Sequence, residues 1–228
     1  MEIRDLHPWP STAEEAEAIQ DRLRAMLEPD VPGPVRPRTV AGLDVSYAGD
    51  GGGVGTPLAA AVVVLDGTTL EVLEESVAVG TAAFPYVPGL FAFRELPTLL
   101  DALRNLRATP GLLVCDGFGV AHPRRFGLAC HLGVLTGLPA IGVGKTAFIG
   151  TYEQPGPRRG DSSPLMDGAE VVGRVLRTRD GVKPVFVSVG HRTDLDTACR
   201  NVLALTPEYR LPETTRRADR LSREALAG

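Results

Sequence analysis

Apolar positions along the chain change period, and the changes divide it into elements. Residues 12–28 follow Ser11-Thr12-Ala13-Glu14, a capping-box pattern, and place Ile19, Leu23 and Leu27 at helical spacing, which predicts an amphipathic helix. The Pro- and Gly-rich stretch PDVPGPVRPR (29–38) leads into three strand-like runs, 39–47, 58–65 and 70–79. GDGGGVG (49–55) and Asp66-Gly67 separate these runs and predict an antiparallel meander. Leu96, Leu99, Leu100, Leu103 and Leu106 then mark one face of a helix over 96–106. Pro97 is best tolerated in a first turn, which puts Glu95 at or near that helix's start. LLVCD (112–116) is a short apolar strand ending in an acid, 124–136 a helix and PAIGV (139–143) a second buried strand. Residues 170–177 and 184–189 read as strands, 194–205 and 213–225 as closing helices, and the polar, Pro/Gly/Ser-rich 150–169 as a surface loop. Three antiparallel strands followed by parallel crossovers give an α/β mixed sheet with helices on both faces. A chain of 228 residues suits one domain spanning 1–228.

Composition narrows the setting. Hydrophobic residues make up 43% and charged residues 23%, a globular balance. Cys115, Cys130 and Cys199 are far apart, odd in number and without a C-x-x-C pair, which argues against a disulfide framework or a zinc site and for a reducing cytosol. The N-terminus lacks a signal-peptide pattern and no 18-residue apolar run occurs, so the expectation is a soluble, cytoplasmic protein with no membrane partner. A net charge of -4 disfavours a non-specific polyanion binder but leaves room for a nucleic-acid enzyme with a local positive field. Lys145 and Lys183 are the only lysines, and Lys145 follows the glycines of IGVGK.

The acids carry the chemistry. Asp44 lies inside the apolar strand VAGLDVSY, Asp116 terminates LLVCD, and Glu95 stands near a helix start. A carboxylate in an apolar strand is expensive to bury unless it is paired, hydrogen-bonded or bound to a metal. Two in neighbouring strands repel unless a cation lies between them. Hard oxygen donors select Mg²⁺ or Mn²⁺ over zinc, and acids on adjacent strand ends form the cradle used in metal-assisted phosphoryl chemistry. The plainer alternative, an Asp that caps a turn or pairs with arginine, stays open for each acid alone.

At these positions the chain resembles the endonuclease V (deoxyribonuclease V) family, of ribonuclease-H-like fold. The stretches that match are AGLDVSY, PYVPGLFAFRE, DGFGVAHPRRFGLACHLGVLTGLPAIGVGK, PLMDG, VFVSVGHRTDLDTA and YRLPETTRRAD, in order from residue 41 to residue 219. The resemblance implies an endonuclease that recognises hypoxanthine in DNA. It would cut the second phosphodiester bond on the 3′ side, leaving 3′-hydroxyl and 5′-phosphate ends, with Mg²⁺ as cofactor and Mn²⁺ able to substitute. It implies damaged DNA as partner, or inosine-containing RNA, and no obligatory protein partner. By motif position Asp44, Glu95 and Asp116 become metal ligands, with Asp219 as a fourth, and Lys145 the active-site lysine. His122 falls on another active-site position, and Pro85, Tyr86, Val87 and Pro88 form a wedge that enters the duplex.

Physical chemistry is consistent with those roles. Reading a base edge inside a duplex requires extruding the nucleotide, at a cost of a few kcal/mol. An aromatic ring stiffened by two prolines can fill the vacated stack with little entropy loss. Gly117, Gly119, Gly142 and Gly144 mark places where backbone can approach a base. Without the resemblance, Lys145 reads as a solvated lysine and His122 equally as a loop histidine bonding a backbone carbonyl. Arg124 and Arg125 lean toward phosphate contacts.

Overall fold

The computed structural model describes residues 1–49 and 53–227; Asp50, Gly51 and Gly52, in the middle of the predicted glycine-rich turn, lie outside the described residues, as does Gly228. In chain order the elements are α1 (Ala13–Arg24), β1 (Thr39–Tyr47), β2 (Pro57–Asp66), β3 (Val72–Thr81), α2 (Phe91–Arg104), β4 (Leu112–Asp116), α3 (Leu128–Thr136), β5 (Ala140–Gly144), β6 (Ser162–Asp167), β7 (Glu170–Leu176), β8 (Val185–His191), α4 (Leu195–Ala204) and α5 (Glu213–Ala227). A single mixed sheet runs β3-β2-β1-β4-β5-β8-β7-β6. The predicted meander is present: β1 pairs antiparallel with β2, and β2 with β3. β4 joins β1 in parallel and β5 joins β4 in parallel, while β8, β7 and β6 extend the sheet antiparallel.

Alternation divides the core. Ala41, Leu43, Leu113 and Cys115 pack against α2 and α3 on one face, whereas Val40, Leu112 and Val114 face α4 on the other. α5 lies over β1 on that second face. A Cβ on Gly42 would come within 2.1 Å of the Thr214 backbone, so glycine there lets helix and strand touch. β1, β4 and β5 run parallel, so their C-terminal ends, carrying Asp44, Asp116 and Lys145, share one edge of the sheet. That edge is where open α/β sheets bind ligands.

Four local expectations change. The capping box forms one residue later than the sequence suggested, with Thr12 accepting from the Glu15 N–H and Glu15 accepting from the Thr12 N–H. α2 starts at Phe91, so Glu95 lies within the helix rather than at its start, and Pro97 sits inside it. Burial of Ala92, Phe93 and Leu96 extends the helix upstream and outweighs the hydrogen bond that Pro97 cannot donate. α3 starts at Leu128, with Gly127 extended at its N-cap, so 124–126 is loop. Within the presumed loop 150–169, β6 pairs with β7 through a tight turn at Gly168 (φ 63°). Its polar residues and Pro164 suit an edge strand, which is why the hydrophobic pattern missed it.

Candidate active site

Asp44, Tyr47, Glu95, Asp116, Lys145, Asp219 and Arg223 line one cleft of about 370 Å³. β1 supplies Asp44 and Tyr47, α2 Glu95, β4 Asp116, and α5 Asp219 and Arg223, so all four acids expected as metal ligands border the same cleft. Each acid has its own protein partner. Tyr47 Oη donates to Glu95 Oε1 (3.0 Å), Ser222 Oγ donates to Asp44 Oδ2 (3.2 Å), and Arg223 donates to Asp219 Oδ1 (2.8 Å). The Lys145 ammonium pairs with Asp116.

The electrostatics report crowded negative charge. Burial, then the charges of Asp116 and Asp219, push the Asp44 carboxyl up to about 7. Burial holds Glu95 well above the usual carboxylate range, although the Tyr47 hydrogen bond works the other way. Burial works against the Lys145 ammonium, but the hydrogen bond and charge of Asp116 more than offset it and raise its pKa. Four hard-oxygen acids around one cleft, two of them with carboxyls raised chiefly by burial, are a donor set that fits a divalent cation such as Mg²⁺ or Mn²⁺. Among the described residues no three His, Cys, Asp or Glu side chains converge as a ready-made metal cluster; the acids line the cleft with each bonded to the partner just named.

Beside the cleft lies a cavity of about 280 Å³, lined by Tyr86, Val87, Pro88, Gly117, Phe118, His122 and Phe148 among others. Phe91, Asp116 and Leu128 border both spaces. Phe118 and Phe148 stack at 5.5 Å. Tyr86 is 67% exposed and meets Phe91 edge-on, so its ring stands free at the mouth. Pro85 is also exposed, and Val87 is half-buried against the core cluster that contains Phe84, Leu90 and Phe93. His122 is buried, which lowers its pKa to about 4. Its Nδ1 accepts the Arg124 N–H (3.2 Å), so Nε2 carries the proton and donates to the Gly89 carbonyl (2.8 Å). Thus His122 both bonds a backbone carbonyl and lines the cavity.

The four glycines separate into two kinds. Gly117 adopts φ 145° and faces the cavity, with only Leu128 near its missing side chain. Gly119, Gly142 and Gly144 instead let the protein pack on itself: a Cβ would come within 1.9 Å of the Val189 carbonyl, 2.7 Å of the Gly119 nitrogen and 2.6 Å of the Phe118 ring, respectively. At these three positions glycine is required by close internal packing, and none of them borders the cavity. Arg124 pairs with Glu17 and Asp21, and Arg125 with Asp167 and Glu170. Sequence reasoning missed Tyr47, Phe118, Phe148 and Ser222. Only Ser222 carried a clear signal, as it lies three residues after Asp219 on the same helix face.

A family model described as endonuclease V matches residues 21–220. Endonuclease V of Streptomyces avermitilis is 62% identical over 220 residues, covering 96% of this chain and 94% of that protein. Its crystal structure superposes with a TM-score of 0.91 at 60% identity, covering 100% of this chain and 98% of that one. Ciona intestinalis endonuclease V, solved with a 24mer DNA containing an inosine followed by a ribo-adenosine, gives a TM-score of 0.80 at 27% identity, over 94% of this chain and 97% of that one.

Proposed function

The chain belongs to the endonuclease V family, and we propose that it nicks DNA near deaminated bases, hypoxanthine above all, at the second phosphodiester bond on the 3′ side. The reading rests on one observation: an acidic cleft and an aromatic cavity meet at a shared wall formed by Asp116, Phe91 and Leu128. A base held in the cavity brings its flanking strand next to the acids. Residues 1–228 then act as a single catalytic domain. The three cysteines are buried and unbridged, which suits a reducing cytoplasm.

Asp44, Glu95, Asp116 and Asp219 would hold Mg²⁺, with Mn²⁺ able to substitute. A divalent ion bound there supplies positive charge for the phosphate and activates water for attack on phosphorus. Lys145, paired with Asp116, presents a cation at the cleft for the phosphate and for the charge developing on it. Tyr47 fixes one oxygen of Glu95 and leaves the other for a ligand. Tyr86, exposed and stiffened by Pro85 and Pro88, enters the duplex in place of the extruded base. Phe118 and Phe148 supply apolar surface for that base, and Gly117 presents backbone to its edge.

The decisive experiment is a hypoxanthine-containing duplex incubated with the protein and Mg²⁺, with product ends mapped. The expected products are a nick one nucleotide beyond the lesion's own 3′ phosphate, a 3′-hydroxyl and a 5′-phosphate. Cutting beside the lesion, or none, defeats the proposal. A second reading, inosine-containing RNA, is favoured by the ribo-adenosine that follows inosine in the nucleic acid bound to the Ciona intestinalis protein. Matched DNA and RNA oligonucleotides separate the two, because the 2′-hydroxyl must be accommodated or required.

A further inference from the structure

Gln20 lies on α1, outside residues 21–220. Its side chain is fully buried. Nε2 donates to the Gly89 carbonyl (2.8 Å) and to the Phe126 carbonyl (3.2 Å), while Oε1 is buried with no hydrogen-bond partner. Two carbonyl acceptors fix which end of the amide carries the nitrogen. A leucine or methionine here would avoid burying an unpaired oxygen, so the two donated bonds are what favours glutamine.

Those bonds converge on the segment that carries Tyr86. Gly89 follows Pro88 directly, in a left-handed conformation (φ 85°). Its carbonyl accepts from Gln20 and also from His122 Nε2. At the other end, the Phe84 carbonyl accepts from the buried Arg94 (2.9 Å). The 85–88 segment is thus pinned at both ends by buried donors while its tip stands in solvent. α1 is itself fastened to the same wall, since Glu17 and Asp21 pair with Arg124.

We propose that Gln20 is a positioning residue for the wedge. It clamps Gly89 to the loop before α3 and so holds Tyr86 at the mouth of the aromatic cavity. This rests on the reading of Tyr86 as the residue that enters the duplex.

The test is a double-mutant comparison on a hypoxanthine-containing duplex with Gln20→Leu, Tyr86→Ala and the pair. Gln20→Leu should raise KM about tenfold with kcat little changed, and should add almost nothing once Tyr86 is already alanine. A residue that merely supports the fold would give additive losses, or a fall in kcat at constant KM. Either result, or an unchanged KM, overturns the proposal. Should Gln20→Leu fail to fold, Gln20→Met, which keeps the length and loses the donors, decides by the same comparison. A wild-type protein that cuts no hypoxanthine duplex overturns the functional reading and this proposal with it, whereas cutting by the wild type with additive variants overturns this proposal alone.

Discussion

The acidic cleft and the aromatic cavity share three residues of wall and are built in opposite ways. Side chains on β1, α2, β4 and α5, with Lys145 just past the end of β5, make most of the cleft, so its geometry is set largely by the sheet and the helices packed on it. Loops make most of the cavity, the segments around 86–89, 117–122 and 148, and those loops are held by side chains bonding backbone carbonyls. In the cleft burial and then like charge raise an acid's pKa, while in the cavity burial lowers a histidine's. Carboxylates that must be placed to a fraction of an ångström sit on regular elements, and the surface that must fit a base sits on loops stiffened by proline and buried hydrogen bonds.

The largest test of that division is in the cleft. Asp44→Asn and Asp116→Asn keep the shape and remove one negative charge each. Each should lower the nicking rate by about a thousandfold, roughly 4 kcal/mol of transition-state stabilisation, with binding of hypoxanthine duplex and the folded state retained. Single-turnover rates beside a binding isotherm in Ca²⁺ make the check. Near-wild-type rates for both variants would remove the metal-site assignment.

What the sequence disclosed follows the same division. The acids of the cleft stood out because a carboxylate in an apolar strand demands an explanation, and strand periodicity placed β1, β2, β4 and β5 nearly to the residue. Glu95 was found, but its place in α2 was misread, because Pro97 looks like a helix start and tertiary burial carried the helix through it. The cavity was far less legible. Gly119, Gly142 and Gly144 read the same in sequence whether the approaching atom belongs to a ligand or to the protein, and here it belongs to Val189, Gly119 and Phe118. Phe118 and Phe148 are thirty positions apart and stack only through the fold. Polar edge strand β6 had no hydrophobic pattern to betray it.

In the cavity the expected effect is smaller and falls on recognition. Tyr86→Ala removes an exposed ring and leaves the cleft intact, so hypoxanthine duplex should bind about tenfold more weakly, or roughly 1.4 kcal/mol. Affinity for Mn²⁺, read by titration without DNA, should not change. Glu95→Ala should do the reverse, weakening Mn²⁺ binding more than DNA binding in Ca²⁺. Equal defects from the two changes would mean that the two spaces work as one site.

The smallest effects have opposite signs, and those signs separate the two regions. Asp44 has its folded pKa raised from 3.8 to about 7, so between those values the metal-free folded state holds a proton that the unfolded state has lost. Its contribution is destabilising above that window and disappears as pH falls through it. His122 has its folded pKa lowered from 6.5 to about 4, so between those values the unfolded state holds the extra proton and stability is lost as pH falls. Denaturant unfolding of the metal-free protein from pH 7 to pH 5 should therefore show Asp44→Asn and His122→Gln changing the slope in opposite directions. Each change is on the order of 1 kcal/mol per pH unit or less, below the full 1.4 that one proton allows. Saturating Mg²⁺ should abolish the Asp44 contribution, because a bound cation favours the carboxylate, and leave the His122 contribution in place. Slopes that move together, or a His122 slope that vanishes with Mg²⁺, would show the cavity and the cleft to be one electrostatic unit.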